Sequence, residues 1–148
     1  MSSKNEIQCI VTAEKTLVPK HDSDRDRLNH FNAGDTVTVL ARKPRNPKFH
    51  RKFMALVRLT HHNLPERLAP HFPSVDSVLE ELKFLTGQYE VFCHVTGDPF
   101  YRTKSISFAK MDEVEFREFY ELCTVEIITH FLKHLTADEI EREIGNFL

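Results

Sequence analysis

The stretch MDEVEFREFYELCTVEIITHFLKHL, residues 111–135, constrains the chain most. Phe116, Tyr120, Cys123, Ile127 and Phe131 recur in it at helical spacing and form one apolar stripe. A long helix of this kind must bury that stripe against another element. A second stripe on the same segment, Phe119, Leu122, Val125, Ile128 and Leu132, exceeds what a thin domain covers and predicts a homodimer or a higher oligomer. The same helical period recurs in NPKFHRKFMALVRLTHHNL, where Phe49, Phe53, Leu56, Val57, Thr60 and Leu64 share a face. Asn46 suits the N-cap there and Pro47 the first helical position. SVDSVLEELKFLTG reads as a helix capped by Ser74 and stopped at Gly87, and Thr136 with Glu139 makes a capping box for a short last helix ending at Gly145.

Elsewhere the period drops to two. EIQCIVTA (residues 6–13) alternates Ile7, Cys9 and Val11 with polar neighbours, and DTVTVLAR (35–42) alternates Val37, Val39 and Ala41, so each predicts a strand. Between them HDSDRDRLNHF predicts a short helix capped at Asp22 or Ser23 and stopped at Gly34. YEVFCHV, the Gly97–Pro99 turn and YRTKSISF predict an antiparallel hairpin. The expected class is α+β: a small, largely antiparallel sheet with helices on one side and a long C-terminal helix. With 148 residues and no Gly/Ser/Pro-rich linker, one domain spanning 1–148 is expected.

Charge is the unusual property. The net charge is only -2, yet Arg42, Lys43, Arg45, Lys48, Arg51, Lys52 and Arg58 crowd around one predicted helix start, and no Asp or Glu occurs between Asp35 and Glu66. Cations at a helix N-terminus oppose its dipole, so an anion is the natural complement. Residues 111–148 carry the opposite excess, 3 Lys/Arg against 10 Asp/Glu. Aromatic and His side chains interleave with the cations, as single-strand binding surfaces require for base stacking. Phe49 and Phe53 lie on the apolar stripe, which leaves His50 as the freer candidate. The expected nucleic-acid contacts are Arg42, Lys43, Arg45, Lys48, His50, Arg51 and Lys52, with Arg102 and Lys104 on the hairpin as extensions.

Other chemistry is poorly represented. His130 and His134, with Glu126 a turn earlier, have i, i+4 spacing, but neither a HExxH motif nor paired thiolates accompany them, so no metal or other cofactor is expected. Asp98, Ser105, Ser107, Asp112 and Glu113 are close in sequence, yet Asp112 reads as an N-cap and Glu113 and Glu115 as first-turn acids, so no enzyme site is expected. Cys9, Cys93 and Cys123 each lie among apolar residues and read as buried free thiols. MSSKNEIQ lacks the apolar core of a signal peptide and no apolar run reaches membrane-spanning length, so cytoplasmic residence without membrane contact is expected.

At RKPRNPKFHRKFMAL, TGQYE and SISFAKMDEVEFREFY the chain resembles a phage-encoded family of unknown function. The likeness runs from the first strand to the long C-terminal helix. That family is distantly similar to the lambda-type recombination mediators called Orf or NinB. Their pattern is a strand, an Arg-Asn-rich loop, a basic helix start, and later a serine-rich strand before an acidic helix of the form EFxxLY or EFxxLL. The matching positions here are Arg45 and Asn46, Arg51 and Lys52, Thr103 to Ser107, and Glu115 to Leu122. The Pro-interrupted segment 63–73 departs from the pattern. The resemblance implies a dimeric α+β protein that binds single-stranded DNA and helps a phage recombinase displace host single-strand-binding protein. Such a recombination accessory would also meet host or phage replication or recombination proteins. The alternative is a phage-encoded interaction module that inhibits or redirects a host enzyme, its acidic 112–126 helix mimicking nucleic-acid charge.

Overall fold

A computed structural model describes residues 6–145, which divide into two compact units, one up to Leu40 and one from Ala41 onward. The first unit holds a two-stranded antiparallel hairpin, β1 (Cys9–Val11) and β2 (Leu17–Pro19), with Ile10 opposite Val18. Its turn is closed by a Thr12–Thr16 hydroxyl pair at 2.8 Å and places Lys15 at φ 63°, a left-handed conformation unusual for a side-chain-bearing residue. Helix α1 (Asp22–Leu28) follows, with Asp22 and Asp24 in its first turn and Arg25 and Arg27 in its last, matching the dipole at both ends.

Three expectations change in this unit. The helix ends at Leu28, well short of Gly34, and its N-cap is His21. Residues 35–46 form no strand: Val37 and Val39 are exposed, and alternation alone cannot provide a partner for the backbone ladder. The first strand instead pairs with Leu17–Pro19, the nearest segment that a tight turn can return. Cys9 is exposed.

The second unit carries the core. Helix α2 (Pro47–His62) starts as the sequence predicts, with the Asn46 side chain accepting the Lys48 N–H at 2.9 Å. It packs against α3 (Val75–Leu85), which Ser74 and Ser77 cap reciprocally, and against α5 (Ala137–Ile144), capped by Thr136 and Glu139. Helix α4 (Glu113–Glu126), capped by Asp112 and Glu115, brings Phe116 and Phe119 onto Phe53 of α2, with ring centroids 5.4 and 5.2 Å apart. Phe53, Leu56, Val57, Val78, Leu82, Phe116, Cys123, Ile127, Leu132, Ile140 and Ile144 are fully buried. Burying a side chain of this kind contributes about 1.5–3 kcal/mol each before the entropy of ordering is subtracted.

A second antiparallel hairpin, β3 (Tyr89–Cys93) and β4 (Pro99–Thr103), rests on α3 through Phe84, which stacks on Tyr89 at 4.9 Å and meets Tyr101 edge-on at 5.4 Å. Gly97, at φ 92°, makes its turn. The class is α+β, but among the described residues the strands form two separate two-stranded sheets. The second strand of this hairpin stops at Thr103 and does not run on to Phe108; Lys110 and Met111 donate to the Ser107 carbonyl and close a turn there. Cys93 is exposed, whereas Cys123 is buried, and burial together with the nearby Glu126 charge pushes its thiol pKa up.

The long C-terminal helix is also interrupted. After Glu126 the backbone widens into a π segment, Ile127–Phe131, closed by the Leu132 N–H donating to the Ile127 carbonyl at 2.8 Å. Thr124 and Thr129 donate their hydroxyls back to the Tyr120 and Val125 carbonyls, contacts that bend helices. The widening turns Phe131 and Leu132 inward together, so half of the expected second stripe is covered within the chain while Leu122 and Val125 remain exposed.

Candidate functional site

The start of α2 has no acid within its own first turn. Its anion comes from α4: the buried Glu113 carboxylate accepts the Asn46 N–H at 2.9 Å, and the Glu113 N–H donates to the Lys43 carbonyl at 3.1 Å. The loop before α2 is thereby strapped to the first turn of α4. Two helix starts share one carboxylate.

Arg45 completes this strap from inside. Only 6% exposed, it lays its guanidinium over the Phe116 ring at 3.5 Å and over Phe108 at 4.5 Å. It donates to the Ile106 carbonyl and to His50 Nδ1, the latter at 2.6 Å, while its buried Nε has no protein partner. Burial lowers its pKa and the Glu113 charge opposes that shift, yet a guanidinium stays ionised. Arg45 is therefore buried, with its guanidinium turned to the interior and not exposed with the neighbouring cations. His50 is likewise turned inward, against Phe108 and Phe116 at 5.2 and 5.7 Å. Burial and the Arg45 charge hold its pKa below the ordinary value, and with Nδ1 accepting from Arg45 the ring is neutral. It is no surface cation.

Lys52 is the third expected contact with an internal partner. Its Nζ lies 2.5 Å from a Glu141 carboxylate oxygen on α5 and 5.2 Å from the Tyr120 ring centroid, and the Tyr120 hydroxyl donates to the same carboxylate at 2.6 Å. Burial alone would raise the Glu141 pKa; the hydrogen bonds from Lys52 and Tyr120 and the Lys52 charge outweigh it, and the carboxyl is held below the usual range. The Tyr120 hydroxyl is pushed up by burial and by Glu141.

Outside this frame, Arg42, Lys43, Lys48 and Arg51 are exposed. Arg42 spends one donor on the Ala109 carbonyl at 3.3 Å. Among the described residues Lys43, Lys48 and Arg51 have no side-chain partner. Phe108, 51% exposed, has Arg45 and His50 behind it and is followed by Ala109, whose carbonyl Arg42 binds. Sequence reasoning placed it inside a strand and missed it. The available signal was an aromatic set between Ser107 and Lys110 in an otherwise polar turn.

Arg102 and Lys104 lie elsewhere, lining a groove of about 780 Å³ between the second hairpin and α4. Lys110 joins them, but Glu90, Glu115 and Glu118 alternate with these cations, and no residue of 42–52 lines the groove. Arg102 also packs its guanidinium over Phe92 at 5.2 Å. The other sequence candidates are dispersed. Asp98 accepts from Thr96 in the hairpin turn, Asp112 caps α4, and His130 pairs with Glu126 at 3.2 Å while His134 lies beyond the π segment. Among the described residues no three His, Cys, Asp or Glu side chains converge as metal ligands do, and no helix is long and apolar enough to cross a membrane.

The loop and basic helix lie inside a stretch with a family counterpart. Residues 4–66 match the model of a family described as protein of unknown function DUF1367. No curated protein and no solved structure matches the chain. The match takes in the first unit and all of α2, and carries no link to the Orf/NinB mediators.

Proposed function

We propose that this protein is a non-enzymatic binder of single-stranded nucleic acid, with Arg42, Lys43, Lys48 and Arg51 as its phosphate contacts. One observation carries this reading: these four cations stay on the surface at a helix start, while their neighbours Arg45 and Lys52 are engaged internally. Glu113 gives this helix start one carboxylate from inside, and the four exposed cations exceed it, an excess that a phosphate backbone relieves. Service to a recombinase, as the resembled mediators perform, would use the same single-strand affinity. A homodimer would double the contact length.

Fluorescence anisotropy with a labelled oligonucleotide across a salt series tests the reading. Four contacts, each adding about -0.7, predict a log-log slope near -2.8 for single-stranded DNA, and Arg51→Ala should flatten it by about 0.7. Affinity that is absent at low salt, or a slope indifferent to Arg51, would remove the proposal. The second reading, a protein-interaction module, draws on α4, whose surface mixes Glu118 and Glu121 with exposed Val114, Leu122 and Val125. Apolar residues suit a protein partner there better than pure charge mimicry.

A further inference from the structure

We infer that Phe108 is a nucleobase-stacking platform, the subsite that makes the basic surface prefer unpaired strands. This deepens the nucleic-acid reading and rests on it. The chain turns at Ser107–Lys110 so that Ile106 and Met111 are buried on either side while Phe108 projects into water. An isolated exposed Phe needs no explanation. This one is different because it is backed by a fixed charge. Arg45 lies 4.5 Å from the ring centroid and is itself held by Phe116, the Ile106 carbonyl and His50. The His50 ring lies 5.2 Å from Phe108, tilted by 45°.

Three consequences follow from that arrangement. The ring is already positioned, so a base stacking on its open side would not have to order it first. Arg45 covers one side of the ring, so a base can occupy only what remains, in a single layer. Arg42 is bonded to the carbonyl of the next residue, Ala109, which places a phosphate-binding cation about one residue from the ring. Base and phosphate of one nucleotide could then be met together, the combination of stacking ring and basic groove that sequence-tolerant single-strand binders use. Bases paired in a duplex are closed to such a ring, so it should contribute nothing there.

The test is oligonucleotide binding by full-length wild type, Phe108→Ala and Phe108→Trp. For labelled oligo(dT), F108A should bind about tenfold more weakly or worse, given what one base–aromatic stack contributes, with an unchanged salt slope and unchanged duplex affinity. The chain contains no Trp, so F108W supplies a single tryptophan, excited selectively over the tyrosines, that should retain affinity and be quenched on adding oligo(dT). It also keeps the question answerable if F108A folds poorly, which thermal melting would show. Wild type that binds oligo(dT) while F108A binds it equally well, or F108W emission that does not respond to the bound strand, would overturn the platform and leave the phosphate reading standing. Wild type that binds neither strand form would remove both.

Discussion

Replacing Arg45 tests the division between internal and surface cations most severely. Arg45→Met keeps an unbranched apolar stem between Phe108 and Phe116 but removes the guanidinium. The Ile106 carbonyl, in a residue 8% exposed, loses its donor, and leaving such a group unsatisfied costs about 1–3 kcal/mol. Glu113, 6% exposed, keeps the Asn46 N–H and a 3.4 Å contact to Arg117 but loses the nearest interior positive charge. Breaking a buried charge pair from one side costs about 3–5 kcal/mol where no other partner remains. Two opposing effects trim these figures: Arg45 no longer has to be desolvated, and its unpartnered Nε disappears. A net loss of about 3 kcal/mol is expected, which for a chain of this size lowers Tm by roughly 10 °C. Arg45→Lys should fall between the two, because one ammonium cannot span Ile106 and His50 and stacks poorly. Arg51→Ala is the control and should stay within about 0.5 kcal/mol of wild type. Urea denaturation with the melt as cross-check measures all four proteins. An Arg45→Met variant that melts with wild type, beside an Arg51→Ala variant that does not, would show that the assignment is reversed.

Other outcomes follow from neighbouring contacts. A double-mutant cycle on Lys52 and Glu141 should give a coupling of about 0.5–1 kcal/mol that shrinks in high salt, since both side chains remain partly exposed. His50 titrates below its ordinary value in the folded state, so at pH just under about 6.5 the unfolded chain binds more protons. Stability should therefore decline as pH falls through that window, and His50→Gln should flatten this part of a pH series of urea midpoints. Light scattering should give a dimer of the 17.3 kDa chain, converted to monomer by Leu122→Glu with Val125→Glu if the exposed half of the second stripe forms the contact.

What the sequence revealed and what it hid divide by the distance over which each contact acts. Every expected cap in the second unit forms, at Asn46, Ser74, Asp112 and Thr136, because a cap is decided within three residues. The strand expected at 35–42 fails for the opposite reason: it has the right pattern, but a ladder needs a second strand, and none lies beside it among the described residues. Phe108 and Glu113 were unreadable as parts of a basic site because each meets residues 42–50 only after the chain has passed through the rest of α2, α3 and a hairpin.

The cation cluster itself is partly separable by helix geometry alone. On a helix advancing 100° per residue, Lys52 stands about 60° from Phe49, at the margin of the apolar stripe, whereas Arg51 stands about 160° away, nearly opposite. A long side chain at the margin can reach across to a neighbouring helix, which Lys52 does at Glu141; one on the far side cannot. Arg45 precedes the helix, so no wheel applies to it, and contacts distant in sequence, with Ile106, Phe108 and Phe116, show it to be internal. Counting charge without angle or depth merges these cases into one patch. Two measurements should separate them again. Stability reports the inward cations Arg45 and Lys52, and the salt slope reports the outward Lys43, Lys48 and Arg51 with Arg42. A residue that moved both strongly would belong to neither class and would break the division.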